Sequence, residues 1–181
     1  WPYRVKFSGT DLLGNVTILE GAPTDVEISL EVSLDASSES YPLHTFNLLN
    51  EGVMQKIAKA FKLQPSEIAG ATLDAGTVKV DGFSGPAEGK VAVGLTNPDG
   101  KVSYAYSANG IGFWIAADGT ASSWGDAPIY YEYDASGYGL TVGHNPGHSE
   151  KSKTYIIKPT MVYNKGGKLH KAVITIKMKF A

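Results

Sequence analysis

Beyond Gly76 the chain becomes a train of short runs rich in β-branched and aromatic residues, cut apart by tight-turn residues. Nothing between them has the length and period of a crossover helix. The runs are Thr77 to Val80, Val91 to Thr96, Val102 to Ser107, Gly112 to Ala116, Thr120 to Trp124, Ile129 to Tyr133, Leu140 to Gly143, Tyr155 to Tyr163 and Ala172 to Phe180. Asn97-Pro98-Asp99-Gly100, Ala117-Asp118-Gly119 and Asn164-Lys165-Gly166-Gly167-Lys168 supply the residues that hairpin turns demand. In the last run Val173, Thr175, Lys177 and Lys179 alternate against Ile174, Ile176, Met178 and Phe180, the period of two of a half-buried strand. A parallel sheet would need crossovers of a dozen or more residues, usually helical. The pattern predicts a mainly β domain: an antiparallel two-sheet sandwich, jelly-roll-like, with one short amphipathic helix packed on it.

Upstream of residue 76 the signals are mixed. Tyr3 to Phe7 alternates like a strand, and Asp25 to Leu34 puts Val26, Ile28, Leu30, Val32 and Leu34 on one face. The small polar stretch Asp35 to Ser40 follows, so a boundary falls near residue 38. Residues 1–38 read as N-terminal strands, either an appendage or part of the same fold, and residues 39–181 as the sandwich domain. From Asn50 the period changes: Val53, Ile57, Ala60 and Phe61 form a helical stripe with Asn50 as the expected N-cap. Gln64-Pro65-Ser66-Glu67 then opens a short helical turn that ends near Gly70.

Composition excludes more than it identifies. A chain of 181 residues, 43% apolar, supports one real core. Its 16 basic and 18 acidic residues leave a net charge of −2, without the basic run a phosphate backbone selects, so nucleic acid is not an expected partner. Cysteine is absent, which removes disulfides and thiolate metal sites. No apolar stretch approaches the roughly 20 residues of a membrane-spanning helix. Because the chain begins at Trp1 rather than Met, it reads as a trimmed mature fragment, with any signal peptide or lipid anchor upstream.

From Tyr41 to Phe180 the chain resembles a domain family recorded only as of unknown function, common in secreted, cell-surface proteins of glycan-degrading gut bacteria of the Bacteroidetes type. The likeness is carried by Tyr41-Pro42-Leu43-His44-Thr45-Phe46-Asn47, by Ile57-Ala58 and Leu63 in the helix, and by Ser107-Ala108-Asn109-Gly110. It continues through Phe113-Trp114 with Asp118-Gly119, Ser123-Trp124-Gly125-Asp126, Gly143-His144-Asn145-Pro146-Gly147, Thr154-Tyr155 and the closing strand. Where relatives are expected to carry His-Trp-Phe-Asp, this chain has Phe113-Trp114-Ile115-Ala116. The resemblance implies an exported accessory module, extracellular or associated with the outer membrane, without catalytic residues. Its implied partners are polysaccharides or oligosaccharides and other surface glycan-utilisation proteins.

Residue chemistry points the same way. Flat indole faces suit the C–H faces of sugar rings, and Asp, Asn and His give directional hydrogen bonds to hydroxyls. Trp124, Asp126, Trp114, Asn109, His144 and Asn145 are therefore the candidate ligand-binding residues, with the His144-Asn145 loop expected beside the Trp124-Gly125-Asp126 segment. Aromatics are also ordinary strand residues. A core tryptophan changed to Ala costs about 3–5 kcal/mol, whereas an exposed one costs affinity instead. In the run from Tyr130 to Asp134, alternation puts Tyr131 and Tyr133 on one face and Tyr130 and Glu132 on the other.

No cofactor is implied. Pro146 and two glycines keep His144 and His148 off the helix on which a pair four apart would bind zinc. Asp118 and Asp126 could serve a structural calcium, but their spacing matches no standard loop. A structural or protein-interaction module is the alternative to glycan binding, and it requires the same aromatics to be buried. A glycan-active enzyme is the second alternative. It requires two carboxylates about 5–10 Å apart, for which Glu132 and Asp126 are the pair to inspect. No nucleophile-elbow or phosphate-loop motif occurs, so the chain is not expected to be an enzyme.

Overall fold

The computed structural model of the chain describes residues 24–69, 78–80, 82–104, 111–134 and 138–181. The predicted strand Tyr3 to Phe7 and the candidate Asn109 lie outside the described residues.

Two large sheets face each other. The first is built from β1 (Val26–Leu34), β13 (Lys168–Phe180), β12 (Pro159–Lys165), β5 (Val91–Thr96) and β6 (Val102–Tyr104) in that order, with β11 (Thr154–Ile157) also paired to β13. The second runs β2 (Pro42–Asn47), β10 (Gly139–His144), β9 (Ile129–Asp134), β7 (Ile111–Ile115), β8 (Ala121–Ser122). A small hairpin of β3 (Val78–Val80) and β4 (Phe83–Gly85) completes the described strands.

The hairpin turns form where the turn chemistry put them. Gly100 (φ 85°) closes β5 onto β6, Gly119 (φ 94°) closes β7 onto β8, and Gly166 and Gly167 (φ 64° and 72°) close β12 onto β13. Such left-handed positions suit glycine because a Cβ would strain them. The predicted Tyr155 to Tyr163 strand breaks at Lys158, so its halves pair with different stretches of the long β13.

Period-two patterning then fills the core. Ile174, Ile176, Met178 and Phe180 of β13 meet Ile111, Ile115, Ile129, Tyr131, Leu140 and Val142 of the opposite sheet in one buried cluster. The Tyr131 hydroxyl crosses that core to donate to the Gly94 carbonyl at 2.7 Å, a buried bond that fixes the two sheets against each other.

Two details differ from expectation. β1 pairs parallel to β13 over its full length, from Val26↔Ala172 to Leu34↔Phe180, so the described N-terminal segment is a strand of the first sheet and the sandwich is mostly, not wholly, antiparallel. α1 (Val53–Phe61) buries Val53, Met54, Ile57, Ala58 and Phe61 as its stripe requires, but its N-cap is Gly52 in a left-handed conformation, not Asn50. Asn50 instead donates its backbone N–H to the Asn47 side chain at 2.9 Å, inside the turn that leaves β2. The short helical turn expected from Gln64-Pro65 to near Gly70 forms as α2 (Pro65–Ala69).

Candidate binding face

The side of the second sheet turned away from the core is where aromatic rings meet solvent. In β9 Ile129, Tyr131 and Tyr133 are buried, which turns Tyr130, Glu132 and Asp134 outward. In β10 Leu140, Val142 and His144 go in, leaving Gly139, Thr141 and Gly143 on the outer side. β7 completes the pattern: Trp114 is directly opposite Tyr130 and outside the core cluster, while Phe113 packs against that cluster.

Register lines these residues up across the strands. Trp114 and Tyr130 pair with ring centroids 4.9 Å apart, and Tyr41, just before β2, meets Trp114 edge-on at 6.2 Å. Gly143, opposite Tyr130, makes this possible: a Cβ there would run into the Tyr130 ring and the Tyr41 carbonyl. Tyr41 is 42% exposed, and Trp114 and Tyr130 are each half-buried. The result is a row of three partly exposed rings in tilted and T-shaped contacts.

A polar row runs alongside. The Thr45 and Thr141 hydroxyls hydrogen-bond across β2 and β10 at 2.8 Å, Thr141 is opposite Glu132 in β9, and Glu132 is opposite Gly112 in β7. Partial burial, reinforced by the negative charge of Glu132, pushes the Tyr130 phenol up to about 12. It is therefore a neutral hydrogen-bonding group throughout the physiological range.

The six residues singled out from sequence divide. Trp124 is 57% exposed in the turn between β8 and β9, and Asp126 is exposed in the same turn. Trp114 belongs to the aromatic row. Asn145 does lie beside Trp124, as expected, but as a support: its side-chain amide donates to the Trp124 carbonyl at 3.0 Å and it is only 3% exposed. His144 is wholly buried. Its Nδ1 meets the Ser149 hydroxyl at 2.7 Å, its ring stacks on Phe180 at 5.8 Å, and its Nε2 has no partner among the described residues. Its position two residues after Val142 in an alternating strand was the available signal for that burial. Alternation pointed to Tyr130 as an outward aromatic, but Tyr41, Thr45 and Thr141 were not singled out, because only the strand register brings Tyr41 to Trp114 and lines the two threonines up beside Glu132.

Among the described residues no three His, Cys, Asp or Glu side chains converge as a metal site would require. Asp118 is committed to its own turn, accepting from the Thr120 hydroxyl at 2.7 Å and backbone N–H at 3.0 Å, and these bonds hold its carboxyl below the usual range. His148 is exposed, with its Nδ1 3.3 Å from the Pro146 carbonyl oxygen. Glu132 and Asp126, the carboxylate pair singled out from sequence, are both exposed. No helix among the described residues is long and apolar enough to cross a membrane.

A family profile described as Domain of unknown function (DUF4859) matches residues 40–168. The match takes in every residue of the aromatic and polar rows and stops where β13 begins. Neither the curated proteins nor the solved structures contain a match to the chain.

Proposed function

The chain belongs to this domain family of unknown function, and from that premise we propose that it is a non-catalytic glycan-binding module of a secreted or surface-anchored protein. The observation that supports the reading is the solvent-facing row Tyr41, Tyr130 and Trp114 beside the hydroxyls of Thr45 and Thr141. Aromatic faces lower the cost of desolvating sugar C–H surfaces, while the adjacent hydroxyls and the neutral Tyr130 phenol offer hydrogen bonds in fixed directions. A sugar chain lying along the row would be held by few contacts in wet surroundings, so micromolar to millimolar affinity is the expected range. Export and a place among surface glycan-handling proteins complete the proposal; they rest on the sequence likeness described first.

The test is isothermal titration of the whole chain against a panel of soluble plant, host and microbial polysaccharides. At least one should bind, and Trp114→Ala and Tyr41→Ala should each weaken that binding by about tenfold or more, with cooperative unfolding retained. Absence of binding across the panel removes the reading. Binding that survives both substitutions removes the face.

A further inference from the structure

Charge is distributed unevenly in this chain. No Lys or Arg occurs between Lys6 and Lys56, nor between Lys101 and Lys151, and those two gaps contain every strand of the second sheet. Over the second gap the charged residues are Asp118, Asp126, Glu132, Asp134 and Glu150, all acidic. Lysines gather on the first sheet instead. Lys171, Lys177 and Lys179 lie on β13, with Glu31 of β1 2.8 Å from Lys179 and 3.9 Å from Lys177. Among the described residues, the aromatic face therefore has the Glu132 carboxylate at a strand position of its own, and the strands of its sheet carry no lysine or arginine.

We propose that this face selects its ligand by charge, taking uncharged glycans and excluding polymers that carry carboxylate or sulfate groups. The inference deepens the glycan-binding reading of the same face and rests on it. An acidic sugar laid across Tyr130 and Trp114 would bring its carboxylate near Glu132, which flanks Tyr130 two residues along β9 and is exposed. Glu132 already acts on that neighbour, since its charge is one of the two causes of the raised Tyr130 phenol. Among the described residues the strands of this sheet bring no guanidinium or ammonium to offset it, and like-charge repulsion at contact range outweighs the weak stacking contacts such a face supplies.

The experiment uses each neutral polymer that binds, in three forms: unmodified, with its C6 hydroxyls oxidised to carboxylates, and as the methyl ester of the oxidised form. The ester keeps the altered C6 carbon and removes only the charge. At an ionic strength of about 0.01 M the oxidised form should bind at least tenfold more weakly than its ester. At about 1 M salt, where the screening length falls to about 3 Å, the two should converge to within about twofold. Glu132→Gln should narrow the low-salt gap between the oxidised form and its ester by about threefold or more. Equal or tighter binding of the oxidised form at low salt overturns charge selection and leaves glycan binding standing. A gap unchanged by both salt and Glu132→Gln overturns the electrostatic cause. If no unmodified polymer binds, glycan binding and charge selection fail together.

Discussion

The two sheets have outer faces of opposite fate. On the first sheet Val162 and Leu169 fall outside the main core cluster and are nonetheless buried, because Val80 and Phe83 of the β3–β4 hairpin pack over them beside Tyr104 of β6. Tyr104 donates its hydroxyl to the Ser84 carbonyl at 2.8 Å, and the Asn164 side chain reaches the Pro86 carbonyl at 2.8 Å, tying that cover down. On the second sheet nothing comparable covers Tyr130 and Trp114 among the described residues, and their rings keep partial exposure. An outward strand position therefore has two possible uses, a second small core or a surface open to a ligand, and local sequence looks alike for both.

Two substitutions test that contrast. Leu169→Ala should produce the largest effect, a loss of about 2–5 kcal/mol by chemical denaturation, because it opens a cavity under the hairpin. Trp124→Ala, at a 57% exposed position on the other side, should change stability by no more than about 0.5 kcal/mol. Comparable losses at both sites would break the distinction between a covered and an open face.

Glycine sharpens it further. Gly143→Ala drives a Cβ into the Tyr41 carbonyl and the Tyr130 ring, which the backbone must move to relieve, so a cost of about 1–3 kcal/mol is expected. Gly85→Ala meets the Leu169 side chain, at both Cδ atoms and Cγ, and no backbone atom, so it should cost less. Thermal unfolding of the two variants side by side gives the order, and a reversed order would place the tight packing on the wrong sheet.

The smallest effect concerns acid. Glu88 accepts the Gly166 and Gly167 backbone N–H groups at 2.8 and 3.0 Å, stapling the β12–β13 turn, and the Gly166 bond first and the Gly167 bond next hold its carboxyl below the ordinary glutamate value of 4.5. A carboxyl depressed on folding stabilises the fold above its unfolded pKa, and the contribution drains away as pH falls through the folded value. Melting temperatures of wild type and Glu88→Gln should therefore differ at pH 7 and converge below about pH 4.5. In the β7–β8 turn of the second sheet the corresponding carboxylate is local: Asp118 bonds to Thr120, two residues away. A difference that grows in acid would refute this account of the turn.

Much of the fold could be read before any coordinates, and the reasons are local. Alternation separated Tyr131 and Tyr133 from Tyr130 and Glu132, and turn residues marked three hairpins. A helical stripe located α1 to within its cap. The site was only partly readable. Trp114 and Trp124 stand at the surface, yet His144, chosen for its chemistry, belongs to the interior by the same alternation that placed Val142 there. Asn145 holds the Trp124 turn from beneath.

What the chain alone determined is which side of each strand avoids water, because a period of two is written in consecutive residues and hydrophobic burial acts on it directly. Strand partners were decided only by the tertiary structure: β1 beside β13 across the whole chain, Tyr41 against Trp114, the β3–β4 hairpin over Leu169. Those pairings join residues far apart in sequence, and they follow from how two twisted sheets close one common core. No stretch of neighbouring residues encodes that closure by itself.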